Sequence, residues 1–81
     1  MNSTELIMSI SQFLECETRT SLVKSEFFKG DIVLCGVYHN ATTHRWNVQA
    51  LNETHAESYA SRTHALRSIH HLLHNKLWNI Q

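Results

Sequence analysis

The residues most able to bind ions or carry protons in this chain are histidines, and three of them form the sequence His70-His71-x-x-His74. Two imidazoles four residues apart on a helix can bind one metal ion. A structural zinc site needs four ligands, however, and no second Cys or His pair at ligand spacing completes the set. A zinc-protease helix would carry glutamate where His71 stands. The sequence therefore predicts no metal site and no cofactor.

The helix that carries these histidines also predicts a contact surface. A helical wheel places one stripe of imidazoles and a guanidinium away from the core, although His70 lies at its flank. Such groups contact carboxylates and phosphates. The residues of this stripe are His64, Arg67, His71 and His74.

Four further positions extend the candidate surface. His44 and Arg45 follow a hairpin loop, and with Arg62 at the start of the last helix they predict a modest cationic patch. Trp78 lies beyond the predicted end of that helix. A tryptophan in a tail is either pinned onto its own domain or used as an anchor on a partner. We place Trp78 in the contact surface and expect either a partner or self-association.

Cysteine chemistry is not predicted. Cys35 is in range of His39 or His44 across the hairpin, but it lies in the most apolar run of the chain, where burial raises a thiol pKa. Cys16 and Cys35 form no CxxC pair, and the chain starts without the features of a signal peptide. We expect reduced thiols, a cytoplasmic location and no enzymatic activity, because no phosphate loop, carboxylate pair or nucleophile elbow occurs.

Length and charge limit the function classes further. The chain has 81 residues, of which 42% are hydrophobic and 17% charged, and its formal net charge is zero. This predicts one small globular domain over 1–81 without a membrane span. Residues 1–40 carry a net charge of −2, whereas residues 41–81 carry +2 and six of the seven histidines. We therefore expect the chain to dock on a charged partner. We expect this binding to strengthen as the pH falls and the histidines become protonated.

The elements that position these residues are predicted from hydrophobic periodicity. An amphipathic helix covers about 4–16 and includes Phe13 in its apolar stripe, with Ser3 or Asn2 as cap. Residues 21–28 fit a second short helix or an irregular segment. Strands follow at 32–38, 44–51 and 55–60. The last helix starts at a Ser61 or Thr63 cap and ends near Asn75, because Lys76 would otherwise enter its apolar face.

The predicted fold class is α+β: a three-stranded antiparallel meander with the helices packed on one face, in the order α-(α)-β-β-β-α. This order is similar to that of double-stranded-RNA-binding domains, whose last helix begins with several basic residues. Here that helix begins Ser61-Arg62-Thr63-His64-Ala65, with one permanent cation. The sequence thus favours a protein-binding domain acting as a regulator, inhibitor or adaptor, and a weak nucleic-acid-binding domain is the alternative.

Overall fold

The chain forms two helices and a five-stranded antiparallel sheet, and the computed structural model describes residues 1–51 and 53–78. The strands lie side by side in chain order, so the sheet is one continuous meander. The α+β class is confirmed, and the predicted three-stranded meander corresponds to the last three strands of this larger sheet. The elements are α1 (Ser3–Leu14), β1 (Glu17–Thr20), β2 (Lys24–Lys29), β3 (Ile32–Asn40), β4 (Arg45–Ala50), β5 (Glu53–Tyr59) and α2 (Arg62–His74).

Of the two additional strands, β2 occupies most of the segment 21–28, for which a second short helix or an irregular segment was expected, and β1 precedes that segment. β1 is an edge strand whose four residues are all exposed, so it has no hydrophobic alternation to reveal it. In β2 three consecutive residues are buried, and two of them, Ser25 and Glu26, are polar. Leu22 and Val23, which suggested helical packing, instead lie in the turn that joins these strands and are exposed.

The first helix begins at a capping box. The Asn2 side chain accepts a hydrogen bond from the Glu5 N–H at 2.8 Å, and the Glu5 carboxylate accepts one from the Asn2 N–H at 3.0 Å. The helix ends where Glu15 adopts a left-handed conformation with φ of 53°. The expected apolar stripe is present, except that Phe13 is 41% exposed instead of packed in the core.

The second helix begins at Ser61, whose side chain accepts a hydrogen bond from the His64 N–H. The other predicted cap, Thr63, instead bonds to the Ser3 hydroxyl at 2.6 Å and so joins the two helices near their first turns. The helix ends at His74 with Asn75 as its C-cap, as the position of Lys76 predicted. Among the described residues, we find no helix with the length and apolarity needed to cross a membrane.

The core lies between the helices and one face of the sheet. Buried residues of α1 and α2 pack there against rows of paired strand residues, of which Ser25, Val37 and Val48 form one. The opposite face carries the row Glu26, Gly36 and Gln49, and neither of the two helices that the structure describes packs on it. The sheet thus presents one covered face and one open face, and α2 packs across β3, β4 and β5 on the covered face.

Candidate functional site

The largest side-chain cluster that matches the sequence prediction lies in a groove between α2 and the end of β5. The groove is open and has a volume of about 420 Å³. Its α2 wall consists of residues three or four positions apart, which a helix places on one face. Tyr59, only three residues before α2 begins, supplies the β5 side. The lining residues are Tyr59, His64, Arg67, Ser68 and His71.

The floor of this groove, which we call the α2/β5 groove, is a pair of hydroxyl groups. The Tyr59 hydroxyl lies 2.8 Å from the Ser68 Oγ and 3.4 Å from the His55 Nδ1. The Tyr59 ring packs against the core, so the phenol is held at both ends. Sequence reasoning missed both residues. The available signal was the spacing, because Ser68 follows His64 by one helical turn.

The groove has a positive rim. Arg67 is exposed and permanently charged, and His64 and His71 are exposed beside it. None of the described lining residues is acidic. One acid, Glu57, has its Oε2 3.5 Å from the Tyr59 hydroxyl at the edge of the groove. The arrangement can bind a carboxylate or another anionic group of a ligand. An apolar group next to that anion would then cover the ring of Tyr59.

The fourth residue of the predicted helix stripe, His74, does not join the groove. Its ring lies 4.7 Å from the Phe13 ring and 4.1 Å from the His70 ring, measured between centroids, at the seam between the helices. His70 approaches the Ser9 hydroxyl from the same seam at 3.1 Å. Burial, the adjacent His74 and the N-terminal amine lower the pKa of His70, so the neutral form of the His70 ring is favoured.

The hairpin residues of the predicted surface also lie outside the lining of the groove. His44 adopts a left-handed conformation, with φ of 58°, in the turn before β4. The Arg45 guanidinium donates hydrogen bonds to the Oγ and the carbonyl oxygen of Ser58, at 2.7 and 2.9 Å. Arg45 therefore links β4 to β5, although its side chain stays exposed.

Trp78 is placed differently from the expectation that it belongs to the contact surface. Its exposed fraction is 8%, and its ring meets the His55 ring edge-on with 6.0 Å between centroids. Of the two roles weighed for a tryptophan in the tail, the structure shows the pinned one, because the large apolar ring completes the core. The prediction of self-association depended on a Trp78 side chain available to a second copy of the chain. It loses that support and stays a prediction.

Arg62, expected in the cationic patch, is turned toward the sheet. Its Nη2 donates to the Leu22 carbonyl at 2.8 Å, and its Nη1 donates to the Lys24 carbonyl at 3.1 Å and the Ser25 Oγ at 3.0 Å. The guanidinium also lies 4.6 Å from the centroid of the Trp46 ring. Arg62 thus fastens the start of α2 to the β1–β2 turn, and the cationic patch does not include it.

A second polar cluster, which sequence reasoning missed, lies on the open face of the sheet. Glu26 is only 8% exposed there. Its carboxylate accepts a hydrogen bond from the Tyr38 hydroxyl at 2.8 Å and contacts Arg19 and Lys24 at 3.3 Å. Burial acts to raise the pKa of Glu26, but the hydrogen bond from Tyr38 and the two cations outweigh it and hold that pKa below its usual value.

The Glu26 cluster is internally satisfied. Burial and the hydrogen bond to Glu26 raise the pKa of Tyr38, so the phenol keeps its proton and donates a hydrogen bond to the ionised carboxylate. Both carboxylate oxygens have partners. No local sequence pattern predicts this cluster, because Arg19, Glu26 and Tyr38 come from three different strands that the sheet brings together. Its chemistry stabilises the sheet and leaves no free acid or base.

Both thiols are held in their protonated form by burial. Burial, with a smaller contribution from Cys16, raises the pKa of the Cys35 thiol to about 12, and burial also raises the pKa of Cys16. Thiolate is therefore scarce at neutral pH. Within 1–51 and 53–78, no described group of three or more His, Cys, Asp or Glu side chains is arranged to hold a metal ion.

Comparisons with protein families, with characterised proteins and with solved structures found no match to this chain. Its class therefore rests on fold and surface alone: a small α+β domain with an open groove of mixed aromatic, hydroxyl and cationic character beside its second helix.

Proposed function

We propose that this chain is a non-enzymatic domain that binds another protein through the α2/β5 groove and acts as a regulator, inhibitor or adaptor. The observation that supports it best is the convergence of His64, Arg67 and His71 around the Tyr59–Ser68 hydroxyl pair. Because this rim is positive and no described lining residue is acidic, the partner is one that presents an acidic segment with an adjoining apolar side chain. The cytoplasmic location belongs to the same proposal and is supported by the two free cysteines.

The small number of arginines whose guanidinium groups are available to a ligand favours a protein partner over a nucleic acid. Of the three arginines expected in a cationic patch, Arg62 and Arg45 are hydrogen-bonded to the chain itself, which leaves Arg67 at the groove. Nucleic-acid binding draws its affinity from several phosphate contacts made together. One arginine and neighbouring imidazoles suit the recognition of one or two carboxylates.

The charge reversal Arg67→Glu tests this proposal. A tagged chain is first used to isolate a partner from nuclease-treated extract of the cells that make it, and the dissociation constant is then measured with the purified partner. We expect Arg67→Glu to weaken that binding by about tenfold or more, since it replaces an attraction by a like-charge contact. Arg67 is exposed, so the free energy of unfolding should change by no more than about 0.5 kcal/mol.

The matched control is Lys29→Glu, the same change of charge at an exposed residue at the far end of β2. Its dissociation constant should stay within about twofold of the wild-type value, because long-range surface charge is screened by salt. Equal weakening by both variants would show that only net charge matters. If the tagged chain retains its partners only when nuclease is omitted, the nucleic-acid alternative replaces the proposal.

A further inference from the structure

The β1–β2 turn presents two apolar side chains to solvent. Leu22 is 92% exposed and Val23 is 55% exposed, and they stand side by side at the tip of the turn. Turn tips ordinarily carry Gly, Asn, Asp, Ser or Pro, whose side chains or backbones favour the turn itself. Leucine and valine contribute nothing of this kind, and they lose hydrophobic stabilisation by remaining in water.

The backbone of this turn is nevertheless firmly held. The Ser21 N–H donates to the Lys24 carbonyl at 2.9 Å, and the Val23 N–H donates to the Ser21 Oγ at 3.3 Å. From the neighbouring strand, the His39 N–H donates to the Val23 carbonyl at 2.8 Å. These bonds use main-chain groups or Ser21, so none of them needs an apolar side chain at the tip.

Arg62 adds a brace from forty residues away in the sequence. Its guanidinium reaches the carbonyl groups of Leu22 and Lys24 and is itself stacked on Trp46. The tip is thereby fixed to the start of α2 as well as to β3. A loop ordered before binding loses little conformational entropy when it binds, so its apolar side chains contribute fully to affinity.

We propose that the β1–β2 turn is a preformed anchor loop that inserts Leu22, flanked by Val23, into an apolar pocket of a partner protein. The loop is a surface separate from the α2/β5 groove, and the proposal does not depend on that groove. Arg19 and Lys24 flank the tip, and Glu26 offsets only one of these two charges. Together with Arg62 they leave the loop positive, so the pocket that fits it has an acidic rim.

A protein pocket suits this loop better than a lipid surface. One leucine with a neighbouring valine offers few methylene groups, whereas stable attachment to a membrane needs a long acyl chain or a wide apolar face. A single buried leucine is, by contrast, a sufficient anchor in a complementary pocket. Transfer of such a side chain from water is worth roughly a tenfold to hundredfold change in affinity.

The test uses a phage library that displays protein fragments encoded by the genome of the source organism. Fragments selected on the wild-type chain are purified, and their dissociation constants are measured with Leu22→Asp, Leu22→Met and Ile32→Asp. Ile32 is the matched control, because it is 55% exposed beside the turn at the opposite end of β2. Circular dichroism and chemical unfolding confirm that each variant is folded.

At least one selected fragment should bind about tenfold or more weakly to Leu22→Asp, yet within about threefold of wild type to Leu22→Met and Ile32→Asp. The same fragment should bind Arg67→Glu normally, which separates this loop from the α2/β5 groove. Fragments indifferent to Leu22→Asp, or a selection without fragments, would overturn the proposal. Leu22-dependent binding to phosphatidylcholine–phosphatidylserine vesicles would overturn it in favour of a membrane.

Discussion

Arg62→Ala is expected to lower the free energy of unfolding by about 2–4 kcal/mol, because it removes three hydrogen bonds from a charged donor and a cation–π contact. Two of the acceptors are main-chain carbonyls of the β1–β2 turn, at Leu22 and Lys24. The side chain also connects α2 to the far end of the sheet, so its loss affects two elements at once. For a domain of this size the melting temperature should fall by about 10–25 °C.

Two further variants distinguish the stability that comes from the hydrogen bonds of the guanidinium group from the stability that comes from its positive charge alone. Arg62→Lys keeps the cation but replaces the two guanidinium nitrogens, Nη1 and Nη2, by a single nitrogen without the planar group that stacks on Trp46, so we expect it to recover less than half of the lost stability. Arg67→Ala removes an exposed arginine from the same helix and should change the free energy of unfolding by no more than about 0.5 kcal/mol. Chemical unfolding monitored by tryptophan fluorescence measures all three. If Arg62→Ala were as stable as the wild type, Arg62 would not stabilise the contact between α2 and the β1–β2 turn.

Gly36→Ala is expected to destabilise the fold by about 1–3 kcal/mol, although alanine is ordinarily the better residue in a strand. A Cβ at position 36 would lie 2.8 Å from the Tyr38 hydroxyl and 2.9 Å from its Cζ. The Tyr38 ring therefore lies flat over Gly36, and the hydrogen bond to Glu26 holds it there. To admit the methyl group, the ring must move and that bond must lengthen.

A double-mutant cycle identifies the cause. In the Tyr38→Ala background the obstacle is gone, and Gly36→Ala should then stabilise the fold by about 0.5–1 kcal/mol through the reduced freedom of the unfolded chain. The expected result is thus a change of sign, measured by urea unfolding of the four proteins. An effect of the same sign and size in both backgrounds would show that Tyr38 is not what excludes a side chain at position 36.

Local patterns in the sequence predicted much of this fold. For each helix one of the two cap candidates is the observed cap, and the position of Lys76 predicted the end of α2. The strand that carries Trp46 follows from alternation, and the strand that carries Val37 follows from a β-rich run that is apolar on both faces. β1 has no buried face, and the buried residues of β2 include a charged one whose partners come from β1 and β3. Such burial becomes visible only when the neighbouring strands are in place.

The candidate site divides in the same way. Helical spacing correctly brought His64, Arg67 and His71 together, because that grouping is local to α2. Tyr59 comes from another element. Arg62 and Trp78 were expected on the surface, but the turn that Arg62 binds and the core that Trp78 closes are tertiary features. Leu22 shows the converse: it lies in the segment 21–28, for which a second short helix or an irregular segment was expected, and the structure exposes it in a turn.

The most direct test of protein binding at the α2/β5 groove is an NMR titration. The ¹⁵N-labelled chain is titrated with the partner isolated from nuclease-treated extract. The amide signals are recorded after each of a series of equal additions of the partner. We predict that the earliest and largest changes occur at Tyr59, His64, Arg67, Ser68 and His71. Changes confined to the open face of the sheet, around Asn47 and Gln49, would contradict the account, as would a partner that proves to be a nucleic acid.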